Sequence, residues 1–206
     1  MKYPTIRFKN LQVALKELEP YIRSGEQVQT GKPVKQFDGL RPRALIANWL
    51  LCVAFNCACE SPDRLTFTSD PFCGDGILYD TESEAAFLTE HVLVRDARSD
   101  EAVDIEARIL KAINDKRQKG GAGYASGKTL VVFLNAGGGA WLPNRVAKQL
   151  PDPLHFAVVW LVGLHHVEAG EYVYSVTQLD VSEGDAATWL IRIGSDFGSW
   201  VIERIQ

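Results

Sequence analysis

The sequence predicts an α/β domain built on a central mixed sheet. Three observations carry that prediction: a long, almost uniformly apolar segment from Ala44 to Cys59, an amphipathic segment from Asp100 to Lys119, and seven short β signals around them. With 206 residues, 46% of them apolar and 23% charged, the chain is long enough to hold a core without disulfide or metal staples. It reads as one domain, with an N-terminal helix and connection (1–43), a core (44–135) and a C-terminal extension of the sheet (136–206).

Leu11, Leu15, Leu18 and Ile22 form a helical stripe with Lys16, Glu17 and Glu19 on the wet side, so residues 11–22 are expected to form a short amphipathic helix. Ser24 to Leu40 is polar and punctuated by Gly25, Gly31, Pro33 and Gly39, which predicts a long surface connection. Pro42 then opens the apolar segment 44–59, whose length and alanine content favour a nearly buried helix. Residues 65–68, 76–79 and 86–94 are short β runs separated by turn residues, the pattern of a meander.

From Asp100 to Lys119, apolar residues recur at Val103, Ile105, Ile109, Leu110 and Ile113, with acids early and bases late, as the helix dipole favours. Gly120 and Gly121 end that helix. Residues 128–135 and 154–164 read as buried strands, 141–150 as a short helix between them, and 172–179 and 189–193 as further strands.

The longest apolar run, Phe156 to Leu164, falls far short of the ~20 residues a membrane span needs, and MKYPTIRFKN has no signal-peptide core, so a cytosolic protein without a membrane partner is expected. Cys52, Cys57, Cys59 and Cys73 are read as reduced thiols, because three fall in one predicted helix. Zinc ligation is disfavoured: no Cys-x-x-Cys occurs, and neighbours in a strand, such as His165 and His166, point to opposite faces. The net charge of -4 argues against a strongly basic nucleic-acid binder. Residues 1–43 nevertheless carry nine Lys and Arg against four Asp and Glu, a local basic bias that includes Lys32, Lys35, Arg41 and Arg43.

The Gly-rich stretch Gly120 to Thr129 ends in Gly-Lys-Thr but leaves a helix and enters a strand, the reverse of a phosphate loop, and has Ala122 where such a loop needs glycine. Gly137-Gly138-Gly139 precedes a predicted helix, but a bare triple glycine is a weak anion signal.

More informative are two acids, Asp75 before one β run and Glu90 inside the next. A carboxylate between Leu88 and Val92 is costly unless it is paired, hydrogen-bonded or bound to a cation, so Glu90 requires a partner. Asp75, brought close by a hairpin, is the expected one. Two adjacent carboxylates would raise one pKa or recruit a divalent ion, and Mg²⁺ on such oxygen ligands can activate water against a phosphodiester.

On these residues, and on the order helix 44–59, three strands, helix 100–119 and strand 128–135, the segment resembles the αβββαβ core of the PD-(D/E)xK (restriction-endonuclease-like) superfamily. The resemblance implies that Asp75 and Glu90 are the Mg²⁺-binding catalytic acids. It also implies a Lys two residues after the Glu, where this chain has Val92. Lys111 on the neighbouring helix is the expected replacement, with Arg95 on the strand as the alternative. The departure at Val92 favours a catalytically lapsed or divergent nucleic-acid-binding or accessory protein. An active Mg²⁺-dependent nuclease and an unrelated α/β interaction protein stay open.

His91 faces away from Glu90 and reads as packed, and Glu60 reads as an exposed helix-end acid. The five Trp are too scattered for a stacking platform, and no Ser-His-Asp signature occurs, although His155, His165 and His166 flank one strand. The apolar segment from Trp189 to Ile205 predicts a homodimer through exposed sheet surface.

Overall fold

The computed structural model describes residues 10–37, 39–70, 74–95, 104–134, 140–180 and 185–206. It is a mixed α/β fold whose eight strands are hydrogen-bonded in chain order. The chain divides into two compact units, residues 1–89 with 196–199, and residues 90–195 with 200–206.

In the first unit, α1 (Leu11–Arg23) is capped by the Asn10 side chain, which accepts from the Val13 amide, and buries Leu11, Leu15, Leu18 and Ile22 as its stripe predicts. The segment expected to be an unbroken connection contains a short helix, α2 (Gly25–Thr30), and a 3₁₀ turn at Lys35–Phe37. Val28, Val34 and Phe37 are buried there, so three apolar residues anchor a stretch whose glycines suggested only a loop. Helix α3 (Pro42–Ala58) is apolar on all sides and buried along almost its whole length. Trp49 in α3 donates its indole N–H to the Leu11 carbonyl (2.9 Å), which satisfies the one polar atom of a fully buried ring.

Asn56 fastens the end of α3 to the first strand, β1 (Leu65–Thr68). It donates to the Leu65 carbonyl at 3.0 Å and accepts from the Leu65 amide at 2.6 Å. Strands β1, β2 (Ile77–Asp80) and β3 (Ala85–Val94) follow as the expected antiparallel meander, with Leu65 opposite Asp80 and Ile77 opposite Leu88. The β2–β3 turn is closed by Asp80, which accepts from the amides of Glu82 and Ser83 and takes a bidentate guanidinium from Arg64. The Arg64 hydrogen bonds hold the Asp80 carboxyl well below the usual carboxylate range.

The second unit begins within β3. Helix α4 (Ile105–Gln118) starts at Asp104, whose side chain accepts from the Glu106 amide, and the short α5 (Gly121–Ala125) follows. Residues 100–103 of the predicted helix lie outside the described residues. Strand β4 (Thr129–Leu134) is buried at every position and runs parallel to β5 (Val158–Glu168), with α6 (Pro143–Lys148) in the crossover. Strands β6 (Glu171–Asp180), β7 (Asp185–Ile193) and β8 (Trp200–Arg204) then extend the sheet antiparallel, hairpin by hairpin.

Ile105, Ile109 and Ile113 of α4 pack with Leu130 and Val132 of β4 and Val159 and Leu161 of β5 in the core of this unit. Truncating one such isoleucine to alanine costs about 2–5 kcal/mol through lost transfer energy and the cavity left behind. The buried carboxylate of Glu106 ties α4 to the start of α6, accepting from the Leu142 amide (3.0 Å) and pairing with Arg145 (3.3 Å). Among the described residues no helix is long and apolar enough to cross a membrane.

One strand expectation is corrected. His165 and His166 do not point to opposite faces: the β5–β6 register shifts between Leu164 and His166, and this bulge brings the two Nδ1 atoms to 2.7 Å.

Candidate functional site

The two predicted acids fall in different units. Asp75 lies two residues before β2, half-buried, in a turn fixed by backbone contacts. The Asn48 side chain of α3 donates to the Asp75 carbonyl at 3.1 Å, and Thr89 donates both its amide (2.9 Å) and its hydroxyl (3.1 Å) to the Gly76 carbonyl. Gly76 has φ +132°, and a Cβ there would stand 2.3 Å from the Asn48 amide nitrogen, so only glycine fits.

Glu90, in β3, does find the partner its strand position requires, and the partner is cationic. One carboxylate oxygen accepts from Lys116 (3.1 Å) and from the Tyr124 hydroxyl, and the other accepts from Lys128 (2.9 Å). The Lys128 ammonium also lies over the Tyr124 ring, 4.2 Å from its centroid. The charged side chains are mostly covered, with 13% of Glu90, 17% of Lys116 and 22% of Lys128 exposed. Burial by itself would raise the Glu90 carboxyl, but the hydrogen bonds from Tyr124, Lys128 and Lys116 outweigh it and hold the group below its ordinary value. Two ammonium groups against one carboxylate leave the cluster with one surplus positive charge.

Three elements build this cluster. Lys116 continues the buried stripe of α4, three residues after Ile113, and so turns toward the core side of the helix. Tyr124 comes from α5, and Lys128 from the residue immediately before β4. Lys116 is legible in principle, as a lysine on an apolar stripe. Tyr124 and Lys128 sit in the Gly-rich stretch, where residue spacing carries no information about Glu90.

Lys111, the replacement cation expected from the sequence, pairs instead with Asp115 one turn along α4; both side chains are more than half exposed. Arg95, the strand alternative, is exposed at the end of β3. His91 is buried and Glu60 exposed, as expected. Cys52, Cys57 and Cys59 are free, and burial pushes the Cys52 thiol up, which keeps it protonated and unreactive. Cys73 and Gly137 to Gly139 lie outside the described residues. Among the described residues no group of three or more His, Cys, Asp or Glu is placed to hold a metal ion.

No family model, curated protein or solved structure matches this chain.

Proposed function

We propose that this chain is a nuclease-like protein that binds nucleic acid, directly or as an accessory factor, without cutting it. The observation that carries the reading is the occupancy of Glu90: both carboxylate oxygens are taken by Lys116, Lys128 and Tyr124. In the superfamily that residues 44–135 resemble, the corresponding carboxylate binds Mg²⁺. A divalent ion 4 Å from a single ammonium group is repelled by about 8 kcal/mol at an effective dielectric constant of 20, and Glu90 has two such groups. The two ammonium groups thus oppose metal binding at Glu90, and the surplus positive charge suits an anionic partner such as a phosphodiester.

A second reading has one observation in its favour. Lys116 and Lys128 bring to Glu90 the kind of cation that steadies an attacking water or the charge developing on phosphorus, which Val92 does not supply. On this reading Glu90 keeps its role as a catalytic acid and the chain is an active phosphodiesterase.

One set of measurements separates the two. Wild type, Asp75→Asn and Glu90→Gln are incubated with single- and double-stranded DNA and RNA in Mg²⁺ or Mn²⁺, and metal binding is followed by calorimetry. The expected result is nucleic-acid binding with no cleavage and no metal-dependent heat. Metal-dependent cleavage lost in both variants would establish the second reading. Neither binding nor cleavage would refute both and leave an α/β protein with a different kind of partner.

A further inference from the structure

Helix α4 has a charged face beside its buried one. Arg108, Lys111, Ala112 and Asp115 recur at intervals of three and four residues, so they form a stripe beside the buried one. With Val94 and Arg95 at the end of β3 they line an open groove of about 330 Å³. Three cations and one carboxylate meet there, on a chain whose net charge is -4.

These cations differ in how far they are committed. Among the described residues Lys111 is bound only by its exposed i,i+4 pair with Asp115, a weak contact in water. Arg95 and the half-buried Arg108 have no side-chain hydrogen bond or ion pair among the described residues, whereas Arg64, Arg117, Arg145 and Arg192 all do. Among the described residues neither guanidinium is committed to an internal anion, which leaves both able to take one from outside. The planar guanidinium fork matches the paired oxygens of a phosphodiester. The half-buried Leu93 and Ala112 also line the groove and suit the sugar face of such a backbone better than a compact inorganic ion.

We infer that the groove between the end of β3 and α4 is the track on which this protein seats the phosphate backbone of a nucleic acid, with Arg95 and Arg108 as the contact residues. The inference rests on the nucleic-acid-binding reading above and specifies where that binding occurs. Lys116 of the Glu90 cluster follows on the same helix, about 12 Å along its axis from Arg108 at the usual rise per residue.

The test is fluorescence anisotropy of the full chain with a labelled 20-nucleotide single-stranded DNA and its duplex, across a salt series. Wild type is compared with Arg95→Ala, Arg108→Ala and the double variant, each checked for an unchanged circular dichroism melt. On the single strand, the double variant should bind at least ten-fold more weakly, and its slope of log affinity against log salt should fall by about 1.4, roughly 0.7 for each phosphate contact removed. Arg108→Lys should restore part of the affinity. If wild type binds but the double variant keeps its affinity and slope, the track is elsewhere and only this inference falls. If wild type binds neither DNA nor RNA of the same sequence, the reading on which it rests falls too. If a poly-glutamate peptide competes as well as DNA, the groove selects carboxylates and the phosphate assignment is wrong.

Discussion

Asp80 and Glu90 sit ten residues apart, one in each compact unit, and their neutralisation has opposite character. Asp80 is met by one arginine, which also pairs with Glu82, so that cluster carries one surplus negative charge. Its other partners are the amides of the turn it closes, and every contact serves local geometry. Glu90 closes no turn. It gathers two lysines and a tyrosine from α4, α5 and the approach to β4, and the surplus there is positive. A carboxylate explained by its own turn is structural, whereas one that assembles distant cations in excess leaves ammonium donors for another anion.

The largest way to break this comparison is Glu90→Ala, which strands two mostly covered lysines. It should lower the unfolding free energy by about 3 kcal/mol, the lower end of the range for a broken buried pair, because the lysines keep some access to water. Urea denaturation at pH 7 measures it, and a loss below about 1 kcal/mol would mean that the cluster behaves as an ordinary surface pair.

Tyr124→Phe is the finer cut. It removes the hydroxyl that donates to Glu90 and accepts from Lys116 (3.4 Å), while keeping the ring beneath Lys128. The expected cost is about 1.5 kcal/mol, typical of a hydrogen bond to a charged group, and the Glu90 carboxyl should rise, as carbon-13 NMR titration of that group would show.

Asp80→Asn removes the charge that Arg64 meets while keeping an oxygen for the turn amides, and its effect is read from the acid limb. Acidification sharpens the contrast. Both carboxyls are held below their ordinary values in the folded chain, so their contributions are fully present above the unfolded values near pH 4 and are lost as pH falls through the folded ones. Because Asp80 is driven further down, its loss should extend to lower pH. Urea midpoints measured from pH 7 to pH 2.5 should therefore fall less steeply in Asp80→Asn than in wild type. Glu90→Gln should relieve only the upper part of that acid limb.

Much of the fold was legible because its signals were local. The unbroken apolar run of α3, the i,i+4 isoleucines of α4 and the spacing of β1 to β3 placed those elements to within a few residues. Strand β8 was missed as a separate element: it has only five residues, Trp200–Arg204, of which Glu203 and Arg204 are exposed, so no alternation rises above its neighbours. Strand β5 begins at Val158, four residues later than its apolar run suggested, since Leu154 and Phe156 are buried without being strand. The site was half legible. That Glu90 needs a partner follows from its apolar strand, but which cations answer depends on how α4 and α5 pack, and Lys111 and Lys116 differ in sequence only by helical phase. The bulge that joins His165 to His166 likewise arises from strand pairing.

The separations within the Glu90 cluster bear on the time at which it can form. Lys116 and Lys128 lie 26 and 38 residues from Glu90 along the chain, with a complete helix and the approach to β4 between them. Contacts of that span incur the entropy of loop closure before they return any energy, and they need α4, α5 and the approach to β4 in place together. The cluster thus acts as a latch on a finished unit. A chain that has collapsed without ordering α4 and α5 would lack it, and would lack the positive charge on which this protein's proposed grip on nucleic acid depends.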